Sequence, residues 1–341
     1  MKTNYLTCPV CGSAPDPKAG ATCPRCGAPN AFAEYFSGQQ AYEQWQITIE
    51  AARLRYQLQR RDRMRANSQL VISSEQVLFL NHTAGHGVLF ARGQAPRQMK
   101  NIRQFSAGSL HQALLQSDGT VAVQGDNEYG QRQANGIKNA AHVLAAPRCT
   151  YVVSKNGSVS AKGACALQET IAQWQDIRSL ACGSTHLVGL TGSGTVVQAD
   201  SSATGRTSEE TAGWKDVTAI AAAADYTLGL HADGTVSYAG PAADTRQEVS
   251  AWREIVAIAA DTQYAVGLTK NGEVRLAGKC LSAFVDMNRS SARNWKDIAL
   301  IATGRSVIGA VTNEGRLLLA GNILGADDLT AAFDQKVPDL I

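Results

Sequence analysis

One short turn signal recurs along most of this chain and leaves few folds open to it. Asp118-Gly119-Thr120-Val121 and Asp233-Gly234-Thr235-Val236 are the same four residues, 115 positions apart. A turn glycine recurs at Gly87, Gly119, Gly157, Gly194, Gly234, Gly272 and Gly315, at spacings of 32, 38, 37, 40, 38 and 43 residues. Six residues beyond each anchor a second glycine follows at Gly93, Gly125, Gly163, Gly240, Gly278 and Gly321; in the fourth unit that place holds Asp200. Upstream, Trp174-Gln-Asp-Ile, Trp214-Lys-Asp-Val, Trp252-Arg-Glu-Ile and Trp295-Lys-Asp-Ile open successive units. Met99-Lys-Asn-Ile and Ile137-Lys-Asn-Ala are weaker copies.

Within a unit the pattern reads as a three-stranded meander. Between Trp252 and Gly278, Ile255-Val-Ala-Ile-Ala-Ala is one strand, Tyr264-Ala-Val-Gly-Leu a second and Glu273-Val-Arg-Leu-Ala a third. Asn271-Gly272 is the hairpin turn, expected as type I′. The first strands are nearly continuous apolar runs rich in Ala and Gly, as at Ala219 to Ala224 and Ala181-Cys182-Gly183. Such strands are covered on both faces and crowded, the situation of the innermost strands of a β-propeller. A period near 40 residues also belongs to propellers, and a solenoid fits less well because the unit is a meander. The fold class expected is therefore mainly β: a seven-bladed propeller over residues 67–341, preceded by a small zinc ribbon (1–30) and an amphipathic helix with its linker (31–66). Each blade has room for three strands and a short fourth. Val337-Pro-Asp-Leu-Ile341 resembles the start of another unit and is expected to latch the ring by pairing near Leu70–Ile72.

Trp-Lys-Asp-Ile, a small-residue strand, His/Tyr-x-x-Gly-Leu and Asp-Gly-Thr-Val together resemble the regulator of chromosome condensation repeat. Gly125-Asp-Asn-Glu-Tyr-Gly-Gln131 is similar to that family's blade-ending motif. The resemblance covers about residues 67–336, and its compact blades are closest to the short bacterial form, as in β-lactamase inhibitor protein II. It implies a seven-bladed binding platform. Some members of the family are nucleotide exchange factors, and others inhibit enzymes or bind chromatin. No residue-level motif carries the exchange activity onto this chain.

Ahead of the repeats, Cys8-Pro-Val-Cys11-Gly12 is answered by Cys23-Pro-Arg-Cys26-Gly27. Each pair puts two thiolates on a tight turn, and the following glycine supplies the positive φ the turn needs. Two such turns make a four-thiolate tetrahedral site suited to one structural Zn²⁺, held by Cys8, Cys11, Cys23 and Cys26. A closed four-cysteine set leaves no open position for catalysis. A clip or protein contact is favoured over nucleic acid, because residues 1–30 carry only Lys2, Lys18 and Arg25 against Asp16. The other cysteines, Cys149, Cys165, Cys182 and Cys280, are scattered singly, and without a secretion signal burial is expected for them rather than disulfides. Met1-Lys2-Thr3-Asn4 leads into Cys8-Pro9 with no apolar stretch, and no run reaches the ~18 apolar residues of a membrane span. The cytoplasm is the expected location.

Ser37-Gly38-Gln39-Gln40 reads as a helix capping box. The helix, 38–66, carries one apolar stripe at Tyr42, Trp45, Ile49, Ala52 and Tyr56, and a second at Ile47, Ala51, Leu54 and Leu58. A helix apolar on two sides is buried between two partners, or packs on its own domain and on another chain, so homo-oligomerisation through the first stripe is open. Residues 1–70 hold nine Lys/Arg against five Asp/Glu, so the basicity is an N-terminal property. Arg53, Arg60 and Arg61 are candidate partner-binding residues on the arginine-rich helix end, set against a solvated face that complements the helix dipole.

No phosphate loop, nucleophile elbow or paired-carboxylate motif is present in the sequence, and no enzyme activity is expected. His111 and His186 share one repeat position with Tyr226 and Tyr264, which reads as packing or a bond to the neighbouring blade. The tryptophans read as wedges between blades. Recognition is expected in the loops that do not repeat, 126–136, 164–173, 200–213, 241–251 and 279–294, with Tyr129 and Phe284 as candidate anchors. The function expected is a non-catalytic scaffold or adaptor that binds a protein partner. The alternatives are nucleic-acid binding through the ribbon and the arginines, or an inhibitor or exchange-factor-like propeller.

Overall fold

Each repeat turns where its glycine enters the left-handed half of backbone space. The computed structural model describes residues 7–13, 22–28, 39–73, 76–201, 206–241, 244–279, 288–304, 306–321 and 325–337. Gly119, Gly157, Gly194, Gly234, Gly272 and Gly315 all have φ between +81° and +87°. The residue before each glycine keeps a negative φ. These are therefore tight turns followed by a left-handed glycine, not the type I′ turns that Asn-Gly and Asp-Gly suggest. The Asp does different work. Asp118 Oδ1 accepts the Thr120 amide at 2.8 Å and Asp233 Oδ1 accepts the Thr235 amide at 2.9 Å. In the first blade the turn glycine is Gly85 (φ +61°) rather than Gly87, which lies inside a strand opposite Leu80. The four-residue turn 82–85 there lacks the Asp-Gly signature, so the pattern placed the anchor two residues late.

The same glycine ties its blade to the next. The Ile102 amide donates to the Gly85 carbonyl at 3.1 Å, Ala140 to Gly119 at 2.9 Å, Ile177 to Gly157 at 3.0 Å, and Ile255 to Gly234 at 3.0 Å. One residue earlier the chain itself turns left-handed, at Asn101, Asn139, Asp176, Asp216, Glu254 and Asp297, with φ between +55° and +58°. Asn and Asp tolerate that conformation best among residues with side chains. This is the physical content of the Asp in Trp-x-Asp-Ile.

Seven antiparallel sheets result, each with its strands in sequence order. Their first strands neighbour one another in a closed cycle: Ser68–Ile72, Ile102–Ala107, Ala140–Ala146, Ile177–Cys182, Val217–Ala223, Ile255–Ala260, Ile298–Gly304 and back to Ser68–Ile72. Crowding on this inner ring requires small residues. A Cβ on Gly108 would lie 3.2 Å from the Ala145 carbonyl oxygen, and one on Gly183 would lie 2.7 Å from that of Ala224. The first blade has a fourth strand, Arg97–Lys100. In other blades a short helix takes that place, such as Gln168–Ile171, Thr245–Ala251 and Ser291–Asn294, and buries Ile171, Val249 and Ala292.

The apolar clusters lie between successive blades. Leu78, Leu80, Phe105 and Leu114 fill one interface, and Tyr264, Leu268, Ile298 and Ile308 another. The seam between the last and first blades has its own filler. Helix Ala326–Lys336 inserts Phe333, fully buried, with its ring 5.9 Å from Phe79 and 5.1 Å from Phe90. Asp334 Oδ1 also accepts the Leu317 amide at 2.9 Å. Of the expected strand latch at 337–341 only Val337 is described, where it caps the helix Ala326–Lys336. Residues 338–341 of that latch lie outside the described residues.

Cys149 and Cys165 are joined by a disulfide, with a Cα–Cα distance of 5.5 Å, against the expectation of separate buried thiols. The blade brings them together. Cys149 pairs with Gly163 in the sheet register, so Cys165, two residues further, returns beside it. A separation of 16 residues hides this in the sequence.

Residues Met1–Ala66 form a separate compact unit from Asn67–Ile341. The helix there runs Gln39–Asn67. Trp45, Ile49 and Ala52 of its first stripe are buried, and Ala52 packs against Cys8, Cys23 and Ala28. Ser37, Gly38 and the Tyr42 side chain lie outside the described residues. Among the described residues no helix is long and apolar enough to cross a membrane.

Candidate functional site

Two places gather chemistry: the four-cysteine cluster and one mouth of the propeller. At the cluster the two Cys-x-x-Cys turns are copies of each other. Gly12 (φ +69°) donates to the Cys8 carbonyl at 2.9 Å, and Gly27 (φ +68°) to the Cys23 carbonyl at 2.8 Å. The four sulfurs lie within 4.8 Å of one another, with Cys8 Sγ 3.6 Å from Cys26 Sγ and Cys11 Sγ 3.7 Å from Cys23 Sγ. Zinc–sulfur bonds of about 2.3 Å at tetrahedral angles place sulfurs about 3.8 Å apart, so the donor set fits the ion. Burial pushes the Cys8 and Cys26 thiols up. A bound cation is what would make all four thiolates.

The propeller mouth is built from the hairpins that join first to second strands. Ala107, Gly108, Leu110, Pro147, Gly183 and Ala224 are among the residues that line a cavity of about 640 Å³ there. The third strands end on the same face, where the non-repeating loops begin. The start of these loops is bonded to the hairpins: Asp126 N donates to the Leu110 carbonyl at 3.0 Å, Ala164 N to Arg148 at 3.0 Å, and Ser201 N to Thr185 at 2.8 Å. The second glycine of the repeat lets the backbones meet. A Cβ on Gly125 would lie 2.6 Å from the Leu110 carbonyl oxygen. Leu110 itself is 55% exposed, one of five large apolar side chains left in solvent among the described residues. The sequence signal was there: Leu110 stands where other blades carry Arg or polar residues beside small ones.

The shared histidine position is structural. His111 Nε2 lies 2.8 Å from Thr150 Oγ1 and His186 Nε2 lies 3.0 Å from Thr227 Oγ1, each on the following blade. Tyr226 donates its hydroxyl to the Tyr264 carbonyl at 2.8 Å. Burial pushes both histidines down. Sequence reasoning missed a second set of ties. Arg289, fully buried, donates to Asp261 Oδ2 at 3.2 Å and to Gln263 Oε1 at 2.9 Å. Arg246 pairs with Asp244 and lies 4.0 Å over the Tyr226 ring.

Of the expected anchors, Tyr129 is half-buried, with the Arg148 guanidinium 4.7 Å from its ring centre. Phe284 lies outside the described residues. The three arginines do not form one free face. Arg53 donates to the Pro9 carbonyl at 2.9 Å, Arg60 is half-buried and Arg61 is buried.

Seven radially arranged meanders with these ties define a β-propeller. Among solved structures, the chain is similar to yeast RCC1 (Prp20) of Saccharomyces cerevisiae at 16% identity and a TM-score of 0.53, over 76% of this chain and 84% of that one. A structure of Prp20 bound to Kap60 gives the same identity and score over 67% and 73%. The CRINKLY ectodomain of the Arabidopsis thaliana receptor kinase ACR4 is similar at 13% identity and 0.57, over 75% and 94%. No family model matches the sequence. No curated protein matches it either.

Proposed function

We propose that this chain is a non-catalytic scaffold whose propeller mouth binds a protein partner while the zinc-bearing unit docks or self-associates. The observation that carries the reading is Leu110. A large apolar side chain stands exposed at the rim of a wide bowl of small residues, ringed by the loops that escape the repeat. Isolated apolar anchors in shallow, rigidly framed sites suit an inserted segment of another protein. The titratable groups that line the mouth are His111, tied to Thr150, and the Cys182 thiol, which burial pushes up to about 11, and both suit a frame rather than a reaction centre. The Prp20 structure is described with its binding to Gsp1p and histones. That protein supports the reading by analogy of fold alone. Exchange-factor-like or enzyme-inhibiting activity would be narrower forms of the same binding.

Zinc in the ribbon supplies charge balance and a rigid turn pair. Cys8, Cys11, Cys23 and Cys26 would hold it. We place the protein in the cytoplasm on its CxxC pairs. The Cys149–Cys165 bridge weighs against that compartment, and alkylation of the thiols in freshly lysed cells decides. Exposed Arg55 and Arg63 favour a second reading, nucleic-acid binding, which requires affinity that falls steeply with salt.

The test is affinity purification with the full zinc-loaded chain, its Leu110→Glu variant and its Cys8→Ser variant. A protein recovered by the wild type and by Cys8→Ser but lost with Leu110→Glu supports the mouth. Recovery indifferent to Leu110→Glu removes it.

A further inference from the structure

The chain buries its large apolar side chains almost everywhere it is described. Five exceptions exist, and three of them, Ile47 (59% exposed), Leu54 (58%) and Leu58 (37%), stand on one helix. With exposed Ala51 they are spaced by four, three and four residues, a continuous stripe on Gln39–Asn67. The opposite face of the helix is already used: Trp45, Ile49 and Ala52 are buried, and Ala52 packs on the cysteine turns. The oligomer contact expected on the first stripe is thereby displaced to the second.

We infer that this stripe is the seam of a parallel two-stranded coiled coil with a second copy of the chain. The spacing assigns Ile47 and Leu54 to d positions, and Ala51 and Leu58 to a positions. Glu50 then precedes an a position, at g, and Arg55 follows a d position, at e. Both are exposed. In a parallel dimer each g residue faces the e residue five positions on in the partner, so Glu50 of one copy meets Arg55 of the other on both sides of the two-fold axis. An antiparallel pair would set Glu50 against Glu50, which repels. Charge complementarity thus selects both the occupant, a second copy, and its direction. The inference specifies the self-associating half of the proposed function and stands whether or not the propeller mouth binds a protein.

The test is sedimentation velocity of the full zinc-loaded chain over a concentration series to about 1 mM. The wild type should form a dimer. Leu54→Glu should weaken it at least about thirtyfold, the loss expected for a central apolar anchor. Glu50→Arg and Arg55→Glu should each weaken self-association, while an equimolar mixture of the two should pair as a heterodimer. A wild type that stays monomeric throughout overturns the inference. So does a dimer indifferent to Leu54→Glu, or two single variants that fail to pair on mixing. Binding of the stripe to lipid vesicles by a monomeric chain would assign it another occupant and overturn it equally.

Discussion

The indole of Trp252 lies directly over the α-carbon of Gly267. A Cβ on that glycine would stand 2.6 Å from Cζ3 and 2.7 Å from Cε3 of the ring. Trp214 and Gly229 repeat the relationship at the same two distances, and Trp174 and Gly189 repeat it more loosely at 3.0 Å. Where the repeat has no tryptophan, the glycine is gone as well: Met99 goes with Leu114, and Ile137 with Val152. The tryptophans are thus wedges between successive blades, as the repeat suggested, and for three of them the Gly of His/Tyr-x-x-Gly-Leu is the seat; in the unit of Trp295 that place holds Ala310. Gly267→Ala should cost about 1–3 kcal/mol by overpacking. Gly189→Ala should cost less. Trp252→Leu should remove most of the penalty of Gly267→Ala, which urea denaturation of the four chains in that cycle would measure.

Closing the ring depends on Phe333. It is fully buried, and its ring touches both Phe79 and Phe90 of the first blade. Phe333→Ala should destabilise the propeller by about 3–5 kcal/mol. Thermal unfolding followed by near-ultraviolet circular dichroism would read it. A change below ~1 kcal/mol would mean that the seam is held elsewhere.

Acid should loosen the propeller before its carboxylates titrate. Burial pushes His111 and His186 below the usual histidine range. His142, whose Nδ1 is buried without a partner, is pushed down to about 4. Each is neutral in the fold and takes a proton once unfolded, so the unfolded state binds more protons below the ordinary value of about 6.5. Stability should be fully present above that pH and should fall as pH drops toward 4. Urea midpoints at neutral pH and near pH 5 would show the slope, and His111→Gln should flatten it.

Removing the metal should act on the N-terminal unit. A chelator should release one zinc per chain and make four further thiols reactive, those of Cys8, Cys11, Cys23 and Cys26. Metal-indicator and thiol titrations would count both. Cys23→Ser should abolish stoichiometric zinc while leaving the propeller's unfolding midpoint in place.

The blade plan was legible because one constraint is imposed again and again. Each turn glycine must go left-handed, and its carbonyl must meet the next blade's amide, so the chain repeats itself. What happens once was not legible. The first turn lacks Asp-Gly, so its glycine was placed at 87 instead of 85. The seam is filled by a helix that no other blade needs. Cys149 and Cys165 are partners only through the register of their strands. The same limit applied at the candidate site. The cysteine spacing announced itself, whereas Leu110 is marked only by standing large among small neighbours. Arg61 looks solvated in a run of arginines, yet it is buried.

The central claim is that the mouth of the propeller binds protein, and hydrogen exchange of the full zinc-loaded chain with and without its captured partner tests it most directly. The account predicts slowed exchange in the hairpins around Gly108–Gln112 and Gly183–His186 and in loop 126–136. Slowing confined to the opposite face, at the turns Ser117–Thr120 and Ala232–Thr235, would contradict it, as would no change in the propeller at all.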